Sequence, residues 1–380
     1  MSVITGTYYS DAIVGEKEDV SQDLMEVSPG ATPFLNSVGL GGAGIAESIT
    51  HNYYDNADVS MRTTLGTTVN SSATTIVLSE AKAKPGERIL MGSEVILLGT
   101  SVDNLTFTGC TRSVGTSSGA AHTAADPVVI MNKPAIQGAD ASTADASIEP
   151  RLVTNYVEGF ERVAIVPDQS DVANRHGRPG TAFDDKVQEQ MKAMRMQMEA
   201  ASIMGVKSSA PAPSSGTQGA MDGIWERVVG TNTTAMGSVD FSWSSVKNAV
   251  EDIADYYDPG ESLPAVLICP LRQTFIFSEW QFAHVQVQNG DPAAEVYGVN
   301  VRRLSVGPMM IDIIGHNRLY DSAVLYQPKY IKPLYYKNGQ PTFEMLARTG
   351  RYKKGLVSCD MTLEVGVPEA HYTFSGLATS

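Results

Sequence analysis

The sequence predicts an α+β chain into which a small all-β domain is inserted, and three observations carry that reading. A run of short strand patterns occupies Thr67 to Met131, unlike the text on either side. One long amphipathic helix pattern runs from Thr181 to Gly205. The second half then mixes helix and strand patterns before a β-rich final sixty residues. At 380 residues the chain is long enough for roughly two or three separate cores.

The first 45 residues combine short apolar patches with acidic and small residues and lead into Ser28-Pro29-Gly30-Ala31-Thr32-Pro33-Phe34-Leu35. Two prolines this close argue against a long helix. We read residues 1–45 as an extended arm whose Phe34, Leu35 and Val38 dock on an adjacent subunit. From Glu47 to Arg62 the alternation of Ile49, His51 and Tyr53 is that of a strand. The β-run follows, with strands at 75–78, 88–91, 94–98, 105–108 and 128–131. Gly92-Ser93 and Asp103-Asn104 stand where hairpin turns need a positive φ. The inserted domain spans 67–132; the alternative is that these strands belong to one larger β-domain. Strand character returns at Arg151–Val157, so residues 46–165 read as two sides of one extended β-loop.

Thr181 is placed to cap the long helix, with Asp184 and Asp185 at the positive end of its dipole. Phe183, Val187, Met191, Met194, Met198 and Ala201 fall on one stripe, while Lys186, Glu189, Lys192, Arg195 and Glu199 fill other faces. Gly205 ends it. A methionine stripe suits a promiscuous binding groove, but a helix laid across a sheet is the simpler account. Beyond a Pro/Ser linker at 208–216, residues 240–330 read as a second, α/β-like region. It holds an amphipathic helix from Trp243 to Tyr257, a buried strand at Leu263–Cys269, a helix near Leu271–Trp280 and strands at 296–301 and 309–314. Residues 331–380 are mostly β, with Gly350–Gly355 as a basic loop between two strands.

Twenty-eight basic against 42 acidic residues give a net charge of −14. A protein that grips nucleic-acid phosphates is usually basic over its binding face, so sequence-specific nucleic-acid binding is disfavoured. Cys110, Cys269 and Cys359 lack paired spacing for zinc or a redox centre, which favours a reducing, intracellular origin. The first residues show no signal-peptide pattern and no window is apolar enough to span a membrane, so a soluble cytoplasmic protein is expected.

Gly39-Leu40-Gly41-Gly42-Ala43-Gly44 matches the dinucleotide fingerprint in letters. It lacks the preceding strand and following helix that would aim amides at a pyrophosphate, and reads instead as a hinge. Asp168, Asp171 and His176 have the residue types of an acid–base or metal site, and a hydrolase is the enzymatic rival. Their setting is that of a polar turn leading into the helix cap. No nucleophile turn or phosphate loop is present, so the chain reads as a non-enzyme without cofactor or metal.

The arm segment Ala31-Thr32-Pro33-Phe34, the split strands at 46–62 and 150–166, and the helix at 181–205 together resemble the major capsid proteins of tailed bacteriophages. So do Leu346-Ala347-Arg348-Thr349-Gly350, Thr362-Leu363-Glu364-Val365 and Pro368-Glu369-Ala370-His371. The likeness is greatest to a phage group formerly catalogued as a domain of unknown function. It implies the Hong Kong 97-type capsid fold: N-terminal arm, 1–45; extended loop, 46–165, carrying the 67–132 insertion; peripheral domain, 166–239, with its spine helix at 181–205; axial domain, 240–330; and peripheral C-terminal strands, 331–380. It further implies hexamers and pentamers in an icosahedral head around double-stranded DNA. The implied partners are a portal, a separate scaffolding protein and a decoration protein, with no membrane. The protein would be made in the host cytoplasm and reside in the virion. Some relatives form covalent cross-links, and Lys82, Lys84 and Lys133 lie in or beside the loop. An encapsulin-like shell and a tail-tube or fibre component are the structural alternatives.

Overall fold

A computed structural model describes residues 32–39, 44–55, 61–134, 150–172, 181–208, 216, 219–254, 264–284, 303–307, 309–337 and 339–379. The chain begins there with α1 (Pro33–Val38), β1 (Gly44–Ala46) and β2 (Thr50–Asp55). Seven short strands follow: β3 (Arg62–Thr64), β4 (Ile76–Val77), β5 (Arg88–Met91), β6 (Glu94–Leu97), β7 (Thr100–Ser101), β8 (Thr106–Thr108) and β9 (Pro127–Ile130). After β10 (Arg151–Tyr156) and β11 (Glu158–Pro167) come α2 (Asp168–Val172), α3 (Ala182–Met204) and α4 (Ile224–Val229). The remainder is β12 (Thr233–Val239), α5 (Trp243–Ala254), β13 (Pro264–Pro270), α6 (Leu271–His284), β14 (Arg303–Val306), β15 (Met309–His316) and β16 (Ala323–Tyr326). It ends with β17 (Ile331–Tyr336), β18 (Thr342–Met345), β19 (Tyr352–Val365) and β20 (Tyr372–Leu377).

The first core lies where α3 crosses a sheet ordered β1-β17-β19-β11, with β18 also on β19. Every second residue of β19 from Gly355 to Val365 faces this core, as a strand with one covered face must. The stripe read from the sequence is the covered side of α3, with Met194 and Met198 at its centre. Thr181 Oγ1 accepts the Asp184 N–H at 3.2 Å. Gly205 ends the helix with an ordinary φ of −59°. Glycine is needed there for space, because a Cβ would lie 2.3 Å from the Ala201 carbonyl.

A second core joins α5 and α6 to a six-stranded sheet ordered β12-β20-β16-β13-β15-β14. Its central strand β13 is buried from Ala265 to Pro270, which explains the unbroken apolar run in the sequence. Burial there raises the Cys269 thiol to about 12. A third core is built from residues 65–130 alone, including Leu65, Ile76, Ile89, Met91, Ile96, Phe107 and Ile130. Two small sheets enclose it, β3-β9-β5-β6 and β4-β8-β7. The β5–β6 hairpin turns through Gly92-Ser93 with Met91 opposite Glu94.

Several expectations are corrected. The arm is helical at Pro33–Val38, with proline at the helix start where its missing N–H costs nothing. Tyr352-Lys353-Lys354 is strand, paired with Pro167, Val166 and Ile165 of β11 respectively, and not loop. Strands β1, β3, β7, β12, β14, β16 and β20 are additional to those read from sequence. The strand expected at 296–301, Tyr257 at the end of α5, and most of the 208–216 linker lie outside the described residues.

Candidate assembly-organising sites

Phe34 and Leu35 were expected to anchor the arm on a neighbour. Instead both are buried to 1% exposure in their own subunit's first core, and Val38 packs partly buried against it. Phe34 meets the Tyr326 ring at 5.1 Å. The docking is fixed by Glu199, which is fully buried in α3 and not on an outer face. Its Oε1 accepts the Phe34 N–H at 2.7 Å and its Oε2 the Leu35 N–H at 2.9 Å. These amides lack partners within their own short helix, and a carboxylate suits that positive end. Ser37 and Tyr326 hydroxyls meet at 2.5 Å, and the His316 ring stands 3.5 Å from Glu199.

A second polar cluster lies along the paired strands β2 and β10. Strands β2 and β10 pair antiparallel from Thr50↔Tyr156 to Asp55↔Arg151. The alternation of His51, Tyr53 and Asp55 is real, but the inward face it creates is polar. His51 meets Glu364 at 2.7 Å, the Tyr53 hydroxyl donates to the Val365 carbonyl at 3.1 Å, and Asn155 donates to the Leu363 carbonyl at 2.7 Å. Asp55, 2% exposed, takes Arg151 at 2.8 Å and Arg227 at 2.9 Å on Oδ2. Its Oδ1 accepts the Val367 N–H at 2.9 Å. Arg151 also reaches Glu369 at 3.2 Å. Beside them His371 accepts the Gln327 N–H on Nδ1 and donates from Nε2 to the Gly366 carbonyl. Burial lowers its pKa to about 4, so the ring is neutral.

The third cluster organises the small β unit. Glu94, fully buried, receives two Arg112 donors at 2.8 and 2.6 Å. It also receives the Ser113 and Ala120 amides, and lies 3.0 Å from the His122 ring. The Arg112 hydrogen bonds, aided by those donors, hold its carboxyl down to about 2. Sequence inspection missed Asp55, Glu94 and Glu199, because nothing local distinguishes a buried carboxylate from a solvated one.

Asp168 and Asp171 do not converge as an acid–base site. Asp168 pairs with Arg348, while Asp171 takes Lys353 at 2.5 Å and the Phe183 N–H at 3.1 Å. Lys353, chiefly, lowers the Asp171 pKa. Both aspartates tie α2 and the start of α3 to β19 and its approach; His176 lies outside the described residues. Within the glycine motif, Gly39 (φ 83°) closes α1 and Gly44 opens β1, a helix-then-strand order opposite to the dinucleotide fold. Lys82 is held by Glu80 at 2.7 Å and donates to the Arg62 carbonyl. Among the described residues no group of three or more His, Cys, Asp and Glu side chains is disposed for a metal, and no helix is long and apolar enough to cross a membrane.

Uncovered apolar side chains collect on the opposite faces of these elements. Tyr54 is 75% and Leu152 56% exposed, and they sit directly opposite one another on β2 and β10. Val163 and Ile165 are exposed on the face of β11 turned away from α3. Leu271 and Phe275, one turn apart on α6, are likewise exposed. Apolar side chains so placed suit contact with another chain.

The family described as SU10 major capsid protein matches residues 3–378. Among solved structures, the cyanophage A-1(L) capsid asymmetric unit is similar with a TM-score of 0.54 at 8% identity, over 97% of this chain and 98% of that one. The capsid of an empty GTA particle is similar with a TM-score of 0.51 at 10% identity, over 99% of this chain and all (100%) of that one. At such identities the likeness is one of fold. The holo-SrpI encapsulin complex from Synechococcus elongatus PCC 7942 scores 0.41 at 12% identity, over 61% of this chain and 77% of that one, too low to bear on function. No protein of curated function matches by sequence.

Proposed function

The chain belongs to the SU10 major capsid protein family, and from that premise we propose that it self-assembles as hexamers and pentamers into an icosahedral head enclosing the double-stranded DNA of a tailed phage. The observation that carries this is the family match across nearly the whole chain, 3–378. In this reading the subunit has the Hong Kong 97-type organisation. Residues 1–45 are the N-terminal arm and 46–157 the extended loop, which carries the 67–132 insertion. Residues 158–232 form the peripheral domain around the spine helix, with β11, β17 and β19 in its sheet, and the axial domain takes 240–330 together with β12 and β20, which pair within its own sheet. The β2–β10 pairing supports the loop assignment. The self-contained core of residues 65–130 supports the insertion, and α3 lying on the β19 sheet supports the spine.

The role is structural. The buried carboxylates position chain segments, and with Phe34 and Leu35 committed to their own core, contact with neighbours falls to exposed apolar faces such as Tyr54 and Leu152. Shells hold together because many modest contacts act together at high effective concentration. The partners are further copies of the chain, with a portal, a separate scaffolding protein and a decoration protein. The net charge of −14 suits a wall that encloses DNA without gripping it. The test is electron microscopy of the full chain co-expressed with the other head proteins of its phage, with assay of nuclease-protected DNA in virions. Closed icosahedral shells and heads built of this chain are expected. Its recovery in tails or fibres, or in shells that hold protein cargo and never DNA, would overturn the reading.

A further inference from the structure

We propose that Asp55 is a positioning residue that latches the β2–β10 ribbon to the crossover between the two large cores. Asp55 ends β2 and Arg151 begins β10, so this register pair closes one end of the ribbon. The groups that hold Asp55 come from α4, through Arg227, and from the turn at Val367. That turn connects β19, in the first large sheet, to β20, in the second. The ribbon is therefore keyed to a stretch of chain that passes from one of those sheets to the other, beside the Gln327–Tyr330 link between β16 and β17.

A second observation, independent of the ion pairs, falls on the same atoms. Val367 has φ 49° and ψ 67°, a left-handed conformation that is strained for a β-branched residue. Its N–H is the one Asp55 accepts. The strain persists because something over-determines it, and the Asp55 hydrogen bond is in position to do so. Apart from Val153, half-buried opposite Tyr53, the inward face of the ribbon is polar, with His51, Tyr53, Asp55 and Asn155 reaching the body. Water satisfies such groups when they separate, whereas it does not compensate for exposing apolar side chains. The ribbon is thus built to release without unfolding the cores, and holding Val367 left-handed and holding the ribbon down are one event.

Hydrogen exchange on the full chain tests this through body amides that bond to ribbon side chains. These are Val367 to Asp55, Val365 to the Tyr53 hydroxyl at 3.3 Å, and Asp222 to Asn155 at 2.7 Å. Asp55→Asn should speed their exchange and that of β2 and β10 by roughly tenfold, with α3 and β13 unchanged. Arg227→Gln, which leaves Arg151 in place, should give the same pattern at about threefold. Val367→Gly removes the strain that opposes docking and should slow ribbon exchange by about threefold. Unchanged ribbon exchange in Asp55→Asn, or faster exchange uniformly across α3 and β13 in both Asp55→Asn and Arg227→Gln, would overturn the latch. No effect of Val367→Gly would overturn its coupling to the turn. These readouts need only the subunit, so they are separate from the test of shell formation.

Discussion

A carboxylate inside a protein is tolerable only where donors surround it, and the donors at Glu199, Asp55 and Glu94 come from far along the chain. For Glu199 they lie 165 and 164 positions away. Glu199→Ala should therefore cost about 2–4 kcal/mol, because two helix-start amides lose their acceptor in a buried setting. Lys192→Ala, on an exposed face of the same helix, should stay within about 0.5 kcal/mol. Equal urea midpoints for the two variants would remove Glu199 from its capping role. Acid stability follows from two groups whose folded pKa values are depressed. His371 falls from 6.5 to about 4, so between those values the unfolded chain takes a proton the folded chain refuses. Stability should drop as pH falls from 6.5 toward 4. Glu94 falls from 4.5 to about 2, adding a second loss below pH 4.5, largely within the small β unit. Urea unfolding at pH 7, 5 and 3.5 checks both, and His371→Gln should flatten the upper part of the profile.

At the scale of elements, α3 was legible because its apolar spacing is fixed by helix geometry, and Thr181 announces its start. Met194→Asp, on the fully buried stripe, should cost several kcal/mol, read as a lowered thermal midpoint against Lys192→Ala. Helix α1 was not legible, because Pro29 and Pro33 argue for extension and its partner Glu199 is invisible from nearby sequence. Its burial changes what truncation should do. Removing residues 1–31 should leave a folded subunit, whereas removing 1–38 strips Phe34 and Leu35 from the core. Core truncations of this size cost about 3–5 kcal/mol for a phenylalanine alone, so the longer deletion should lower the thermal midpoint sharply. The same logic makes the small β unit dispensable for folding, since residues 65–130 supply their own core. Replacing Thr67–Met131 with a Gly/Ser linker should leave the far-UV signature of α3 and the two large sheets intact. Cooperative loss of all secondary structure would show that the unit is integral.

For the whole molecule, the exposed pair Tyr54 and Leu152 separates folding from association, because its two side chains face away from the polar contacts that hold the ribbon. Tyr54→Lys combined with Leu152→Glu, an opposite-charge pair across the ribbon, should shift subunit stability by no more than about 1 kcal/mol. It should nevertheless prevent closed shells from forming, as judged by sedimentation and microscopy. Shells of normal size and heat resistance from the double variant would mean that this face is not an interface.

The sequence by itself determined the features whose signal is local. These are the period of α3, the apolar run that became β13, the hairpin at Gly92-Ser93, and the return of the chain at Arg151 to pair with β2. The alternation of His51 and Tyr53 was equally plain, though not that their inward face would be polar. Tertiary structure alone decided the rest. Phe34 and Leu35 entered their own core, Asp168 and Asp171 separated onto Arg348 and Lys353, and Lys353 joined a strand through its pairing with β11. The physical reason is the same in each case. Backbone periodicity is written in neighbouring residues, whereas the fate of a charge depends on which distant donors the fold brings within about 3 Å.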